Sequence, residues 1–234
     1  MCYDRWGLVH VPNVFRPSNG TYGVAQRNVY ASEFGTSSTA SFESLSAVLA
    51  PEHWGIHGGE APDTCFGGCQ AVTGCKGKNV MAQRNYACDA PIHLVFGNDT
   101  IVDLNATGVK DFQGQTYLCL LSQALVMKQV IEDRRSQNQF GALVWQLNEI
   151  WPTNGWGSLE YGTGNGPDAA AALTQGQVRG GRWKPLHYFY QRSLFVDVFA
   201  TCGSVYKNPN GTACYIRSDR AGAPFEGTVT LSTY

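Results

Sequence analysis

Two short stretches hold the residues best equipped for chemistry. "YASEFG" places one carboxylate, Glu33, between a small polar residue and an aromatic–glycine turn. "VWQLNEIW" gathers an indole (Trp145), an amide (Asn148), a second carboxylate (Glu149) and a second indole (Trp151). A carboxylate at a strand end can attack an anomeric carbon. An aromatic face can stack on the apolar face of a sugar ring, and an amide can fix its hydroxyls. This is the equipment of retaining glycoside hydrolysis, in which two carboxyls stand about 5 Å apart. Each residue alone has a plainer reading. Glu33 can be a solvated turn acid or an ion-pair partner, Trp145 a core side chain, and Glu149 a structural or subsite acid.

Such residues need elements to hold them. "RNVYASEFG" reads as a short strand over Asn28 to Ser32 that delivers Glu33 into a glycine turn. Ser41 can cap a helix over Phe42, Leu45 and Leu49, which Pro51 stops or kinks. The clearest helix is residues 116 to 136, with Leu118, Leu121, Leu125 and Ile131 near one face. "FGALVWQL", 140 to 147, is nearly all apolar and fits a strand covered on both faces. "GRWKPLHYFYQRS" predicts a further short helix and "LFVDVFA" a further strand. Strand, long crossover with helix, strand, helix is the order of an α/β fold, not of a sandwich. After about residue 200 the chain changes to short β-prone pieces around turns, which marks a boundary.

Two segments break the pattern. Residues 58 to 91 are rich in Gly and Cys and read as a long loop or small insert; residues 162 to 181 are small and polar and read as a loop. Four of the eight cysteines, Cys65, Cys69, Cys75 and Cys88, cluster in the first segment, with His53 and His57 nearby. Disulfides, free thiols and a metal site all stay open, although there is no pair of tight CxxC knuckles. The others are Cys2, Cys119, Cys202 and Cys214.

The balance of charge excludes some partners. Seventeen basic residues against eighteen acidic ones give a net charge of −1, which offers no field to nucleic acid or an anionic membrane. No apolar stretch is long enough for a membrane span. The opening "MCYDRWGLVHVPNVF" lacks the apolar run of a signal peptide, yet Asn-x-Thr sequons stand at Asn19, Asn98, Asn105 and Asn210. Together they raise the expectation that the natural chain begins further upstream.

"YASEFGTSSTASFESLSAVLAPEHW", "GALVWQLNEIWPTNGWGSLEYG" and "GRWKPLHYFYQR" resemble the β-mannosidase branch of the glycoside hydrolase family that also holds β-galactosidases and β-glucuronidases. The resemblance covers about 200 residues, least well at 58 to 91. It implies the last part of a (β/α)8 TIM barrel, strands seven and eight, over residues 1 to 200. The start of a β-sandwich domain would follow over 201 to 234. Glu33 would be the nucleophile and Trp145 the strand-eight tryptophan against the sugar, with Asn148, Glu149 and Trp151 lining the same rim. No metal or other cofactor would be needed. The partners would be β-mannoside oligosaccharides, as N-glycan remnants or mannan fragments, and the compartment the lysosome or the extracellular space.

In that family the acid/base glutamate precedes the nucleophile on strand four. The 32 residues before Glu33 contain no glutamate. The expectation is therefore a C-terminal fragment, inactive alone. The alternatives are a non-catalytic glycan-binding or barrel-complementing piece, or a related exo-β-glycosidase.

Overall fold

The computed structural model describes residues 30–57, 81, 88–98, 100–136, 141–150, 154–161, 181–202, 214–220, 226–228 and 230. Trp151, most of the two loop segments, and the sequons at Asn19 and Asn210 lie outside them.

The first strand, β1 (Tyr30–Phe34), pairs in parallel with β3 (Gly141–Val144). Between them, among the described residues, run the short strand β2 (Ser38–Thr39) and the helices α1 (Phe42–Leu45), α2 (Asp89–Phe96) and the long α3 (Val109–Ser136). Two parallel strands need a crossover of this kind, because a tight turn cannot reverse the chain twice. The arrangement is α/β, with strands and helices as in part of a glycosidase-type fold, and the described residues contain no closed barrel.

Past β3 come β4 (Asn154–Gly155), antiparallel to β2, and the antiparallel pair β5 (Leu159–Tyr161) and β6 (Gly181–Trp183). Helix α4 (Pro185–Phe189) opens on Pro185, whose missing N–H is no loss in a first turn. It continues into a π-helical turn over Tyr190–Leu194. The antiparallel pair β7 (Val198–Cys202) and β8 (Cys214–Ser218) closes the described chain.

Helix α3 is the spine. Its 28 residues span about 42 Å at 1.5 Å per residue. Its N-terminal half supplies Phe112 and Cys119 to one core, with Leu45, Leu49, Ile56 and Ile92. Its C-terminal half supplies Ala124, Met127, Val130 and Ile131 to a second, with Phe34 of β1 and Leu186, Tyr190 and Leu194 of the α4 region. The second core lies directly under the strand that carries Glu33.

Several expected boundaries move. Helix α3 begins at Val109 instead of residue 116, running through Gly114. A Cβ on Gly114 would stand 3.1 Å from Val102, so this glycine serves close packing and does not break the helix. Ser41 caps α1 as expected, its hydroxyl accepting from the Ser44 N–H at 3.4 Å, but α1 is only one turn long. Pro51 opens a 3-10 turn over Pro51–His53, separate from α1. β3 ends at Val144; the Trp145 N–H still reaches Phe34 of β1, and from Gln146 on the backbone turns to Trp156 and its neighbours. β7 begins at Val198 because Leu194 is still in the helical turn.

The cysteine question resolves in part. Cys88 is bonded to Cys119, tying the start of α2 to the middle of α3, and Cys202 is bonded to Cys214 across β7 and β8. Cys65, Cys69 and Cys75 lie outside the described residues. His57 is buried against Asp89 at 3.0 Å. Among the described residues no three His, Cys, Asp or Glu side chains converge as a metal site would require. No described helix is long and apolar enough to cross a membrane.

The last hairpin is docked on the end of α3. The Arg135 guanidinium donates to the carbonyls of Leu194 (2.6 Å) and Val196 (2.8 Å), pairs with Asp219 at 2.5 Å and lies 4.1 Å over the Phe199 ring. Arg217 donates back to the Ser136 carbonyl at the end of the helix.

Candidate functional site

The site forms where β1 and β3 end. The register pairs Ala31 with Ala142 and Phe34 with Val144. The first strand advances three residues while the second advances two, so Ser32 and Glu33 form a bulge opposite Leu143. A bulge bends its strand and re-aims the extra side chain. Glu33 is half-buried at this bulge, one residue from the end of β1. Phe34 behind it is fully buried, and the Arg134 guanidinium stacks on its ring at 4.7 Å. Burial lowers the Arg134 pKa to about 10, with Asp133 opposing; it stays charged at neutral pH and backs the strand end with positive charge.

Trp145 follows β3 directly. Its N–H donates to the Phe34 carbonyl at 2.7 Å, extending the ladder one step past the strand. Because the two strands run parallel, Glu33 and the half-buried Trp145 stand at the same end of adjacent strands, which are about 4.8 Å apart. The Trp145–Gln146 peptide bond is cis. Gly35 permits this approach: a Cβ there would overlap the Trp145 carbonyl oxygen.

The chain after Trp145 is pinned from outside. The Gln146 N–H donates to the Trp156 carbonyl (3.3 Å), Ser158 and Leu159 N–H groups donate to the Leu147 carbonyl (2.9 and 3.1 Å), and the Glu149 N–H donates to Leu159 (2.8 Å). Gly157 lies so close that a Cβ would overlap the backbone of Asn148 and Glu149. Underneath, Gln123 of α3 is fully buried, and its amide donates to the Thr36 carbonyl at 3.0 Å and to Trp156 and Gly157 at 3.4 Å each. One side chain thus holds the turn after β1 and the loop after β3 in register.

The predicted rim residues part company. Asn148 is half-buried, and its side-chain amide donates to the Glu149 carbonyl at 3.0 Å. Glu149 is 2% exposed, and Lys184, with a fully buried side chain, donates to its carboxylate. Burial pushes the Glu149 carboxyl above its ordinary value, and Lys184 pulls it back. The carboxylate packs so tightly on Gly155 that a Cβ there would overlap it.

A second buried acid, Glu160 of β5, accepts from the Ser41 N–H (2.8 Å) and from the hydroxyls of Ser41 and Ser44 (2.7 Å each). It ties the β5–β6 pair to the start of α1, and Arg182 adds a 3.1 Å bond to Ser44. Glu149 and Glu160 are therefore both engaged in holding the frame.

Gly35, Gln123, Glu160 and Lys184 were not among the expected site residues. Gln123 had a visible signal, an amide inside the apolar run "CLLSQALVM". The others had none, since a single lysine or glutamate reads as surface until its partner is known.

No family model matches the chain. It is 30% identical over 172 residues to a β-mannosidase of Capra hircus and 29% identical over 169 residues to one of Bos taurus. Those alignments cover 70% and 68% of this chain but only 16% and 15% of the relatives. Over 93 residues the chain is 37% identical to a β-mannosidase of Rattus norvegicus, 36% of this chain and 8% of that one. Among solved structures, β-D-mannosidase from Dictyoglomus thermophilum superposes with a TM-score of 0.51 at 19% identity, covering 81% of this chain and 18% of that one. That likeness is one of fold alone. The chain is thus homologous over part of its length to β-mannosidase-like glycoside hydrolases, and it spans about one-sixth of the length of the relatives named first.

Proposed function

We propose that this chain is the nucleophile-bearing part of a retaining exo-β-mannosidase. The carrying observation is that Glu33 and Trp145 share one end of two adjacent parallel strands. The similarity to β-mannosidases supports the sugar class. In this reading β1 and β3 are the seventh and eighth strands of a (β/α)8 barrel, whose active sites gather at strand C-termini. The β7–β8 hairpin begins the β-sandwich that follows.

Glu33 attacks the anomeric carbon of a terminal β-mannoside while a second carboxyl protonates the departing oxygen. Water then releases mannose with retained configuration. Trp145 stacks on the ring, and Asn148 and Trp151 line the rim. Glu149 lies under that rim and positions it through Lys184. The protonating carboxyl comes from upstream in the whole protein, since the two buried glutamates near the site already have structural partners. The chain by itself therefore does not turn over. Its substrates are β-mannosides from N-glycan remnants or mannan, met in a lysosome or outside the cell.

The test uses the whole gene product on a panel of aryl β-glycosides. Hydrolysis should favour the mannoside, and Glu33→Gln should lower kcat by roughly 10⁴–10⁶-fold. A 2-deoxy-2-fluoro-mannosyl fluoride should label Glu33, read by peptide mass spectrometry. Labelling of another carboxylate refutes the assignment, and preference for another sugar refutes the substrate. Turnover by the purified 234-residue chain, lost in Glu33→Gln, refutes its inactivity.

A further inference from the structure

Two of the four sequons fall on one described loop, between α2 and α3, far in sequence from the strand ends that carry Glu33 and Trp145. Asn98 stands exposed one residue past Gly97, whose φ of 81° turns the chain out of α2. Asn105 is exposed in a turn whose backbone is held from within. Its N–H donates to the Asp103 carboxylate at 2.8 Å. Below, the buried Gln115 amide donates to the carbonyls of Asp103 (2.7 Å) and Ala106 (2.8 Å). The Gly108 N–H donates to the Trp54 carbonyl at 2.9 Å. The backbone around Asn105 is thus held inwardly, while Asn105 and Thr107, both ends of that sequon, are exposed.

A separate observation concerns the compartment. The two helices that flank the loop are cross-linked by Cys88–Cys119, with Cys88 1% and Cys119 0% exposed. A buried disulfide that closes a core belongs to chains that fold in an oxidising compartment. That is also where asparagine sequons are modified.

We propose that Asn98 and Asn105 both carry N-linked glycans. In the transfer, the side-chain amide nitrogen attacks C1 of an oligosaccharide linked through diphosphate to a membrane lipid. The N–C1 bond forms, the C1–O bond to the diphosphate breaks, the lipid diphosphate leaves, and the amide gives up one proton. The fold accommodates both products. Both asparagines border the same open cavity of about 320 Å³ beside His57 and Asp89, so the two glycans stand side by side over one face.

The experiment uses the native protein purified from its source. After reduction, the tryptic peptide 85–110 carries both asparagines. Peptide N-glycosidase in ¹⁸O-water converts a glycosylated asparagine to labelled aspartate. Label at both positions is the expected result; an unlabelled Asn98 or Asn105 overturns the proposal. In a eukaryotic secretory host, Asn105→Gln and Thr107→Ala should each remove one mobility step. Thr107→Ser should keep it, because a serine hydroxyl still completes the sequon. A mobility unchanged by Asn105→Gln overturns the assignment at that position.

Discussion

Replacing Lys184 with methionine should strongly destabilise the protein, by a route that pH can expose. The Lys184 side chain is 0% exposed and that of Glu149 2% exposed, so each charge left water only because the other is there. Methionine keeps most of the volume and removes the charge. The cost is then that of one buried, unpaired carboxylate, about 3–5 kcal/mol at neutral pH. Arg220–Asp197 supplies the control, at 3.7 Å with side chains 57% and 68% exposed. Arg220→Ala should cost at most about 1 kcal/mol. Urea unfolding followed by tryptophan fluorescence measures both.

The sign of the pH dependence follows from burial. Burial already pushes the Glu149 carboxyl up, and losing Lys184 pushes it further. A carboxyl whose folded pKa exceeds the unfolded value of about 4.3 binds its proton more tightly in the fold. The associated stability is intact below that value and is lost as pH rises through the folded pKa. The Lys184→Met deficit should therefore shrink as the solution is acidified. Glu149→Gln combined with Lys184→Met should recover most of the loss. A single-variant deficit under about 1 kcal/mol, or one that grows on acidification, refutes the reasoning.

Gly35→Ala should cost about 1–3 kcal/mol and lower kcat in the whole enzyme, because the added methyl drives the Trp145 carbonyl away from β1; a neutral effect on both counts against the close packing. Cys119→Ser opens a loop with a sequence separation of 31 and should cost about 3–4 kcal/mol, read as a lower denaturation midpoint that reductant shifts less than it shifts the parent, since Cys202–Cys214 remains. His187, whose Nδ1 meets the Ser158 hydroxyl at 2.9 Å, has its pKa lowered by burial, so its neutral form is favoured in the fold. Stability should be full above about pH 6.5 and decline as pH falls below it, and His187→Gln should flatten that slope in thermal melts.

Much of the architecture is written locally. The apolar run at 140–147 calls for a covered strand, the stretch before Glu33 reads as another, and 116–136 offers the long helix between them, so the strand–helix–strand order follows from pattern although the bounds do not. The Ser41 cap is a contact between near neighbours and needs no tertiary information. Glu33 and Trp145 stand out by chemical type, and their place at strand ends follows from the same pattern.

What a side chain does when its partner lies far along the chain is decided only on folding. Cys88 sits with Cys65, Cys69 and Cys75 in sequence but is bonded to a helix cysteine 31 residues away, a distance that spacing cannot reveal. Gly114 looks like a helix breaker until Val102 packs on it. Glu149 looks like a rim acid because of its neighbours Asn148 and Trp151; it is a buried anion because Lys184, 35 residues later, arrives beneath it. The bulge that aims Glu33 exists only when β1 and β3 are paired, since register belongs to two strands and to neither alone. Sequence pattern determined which segments had to be covered and which residues could do chemistry; the meeting of distant segments decided which carboxylate stands half-buried at a strand end and which is locked in the frame.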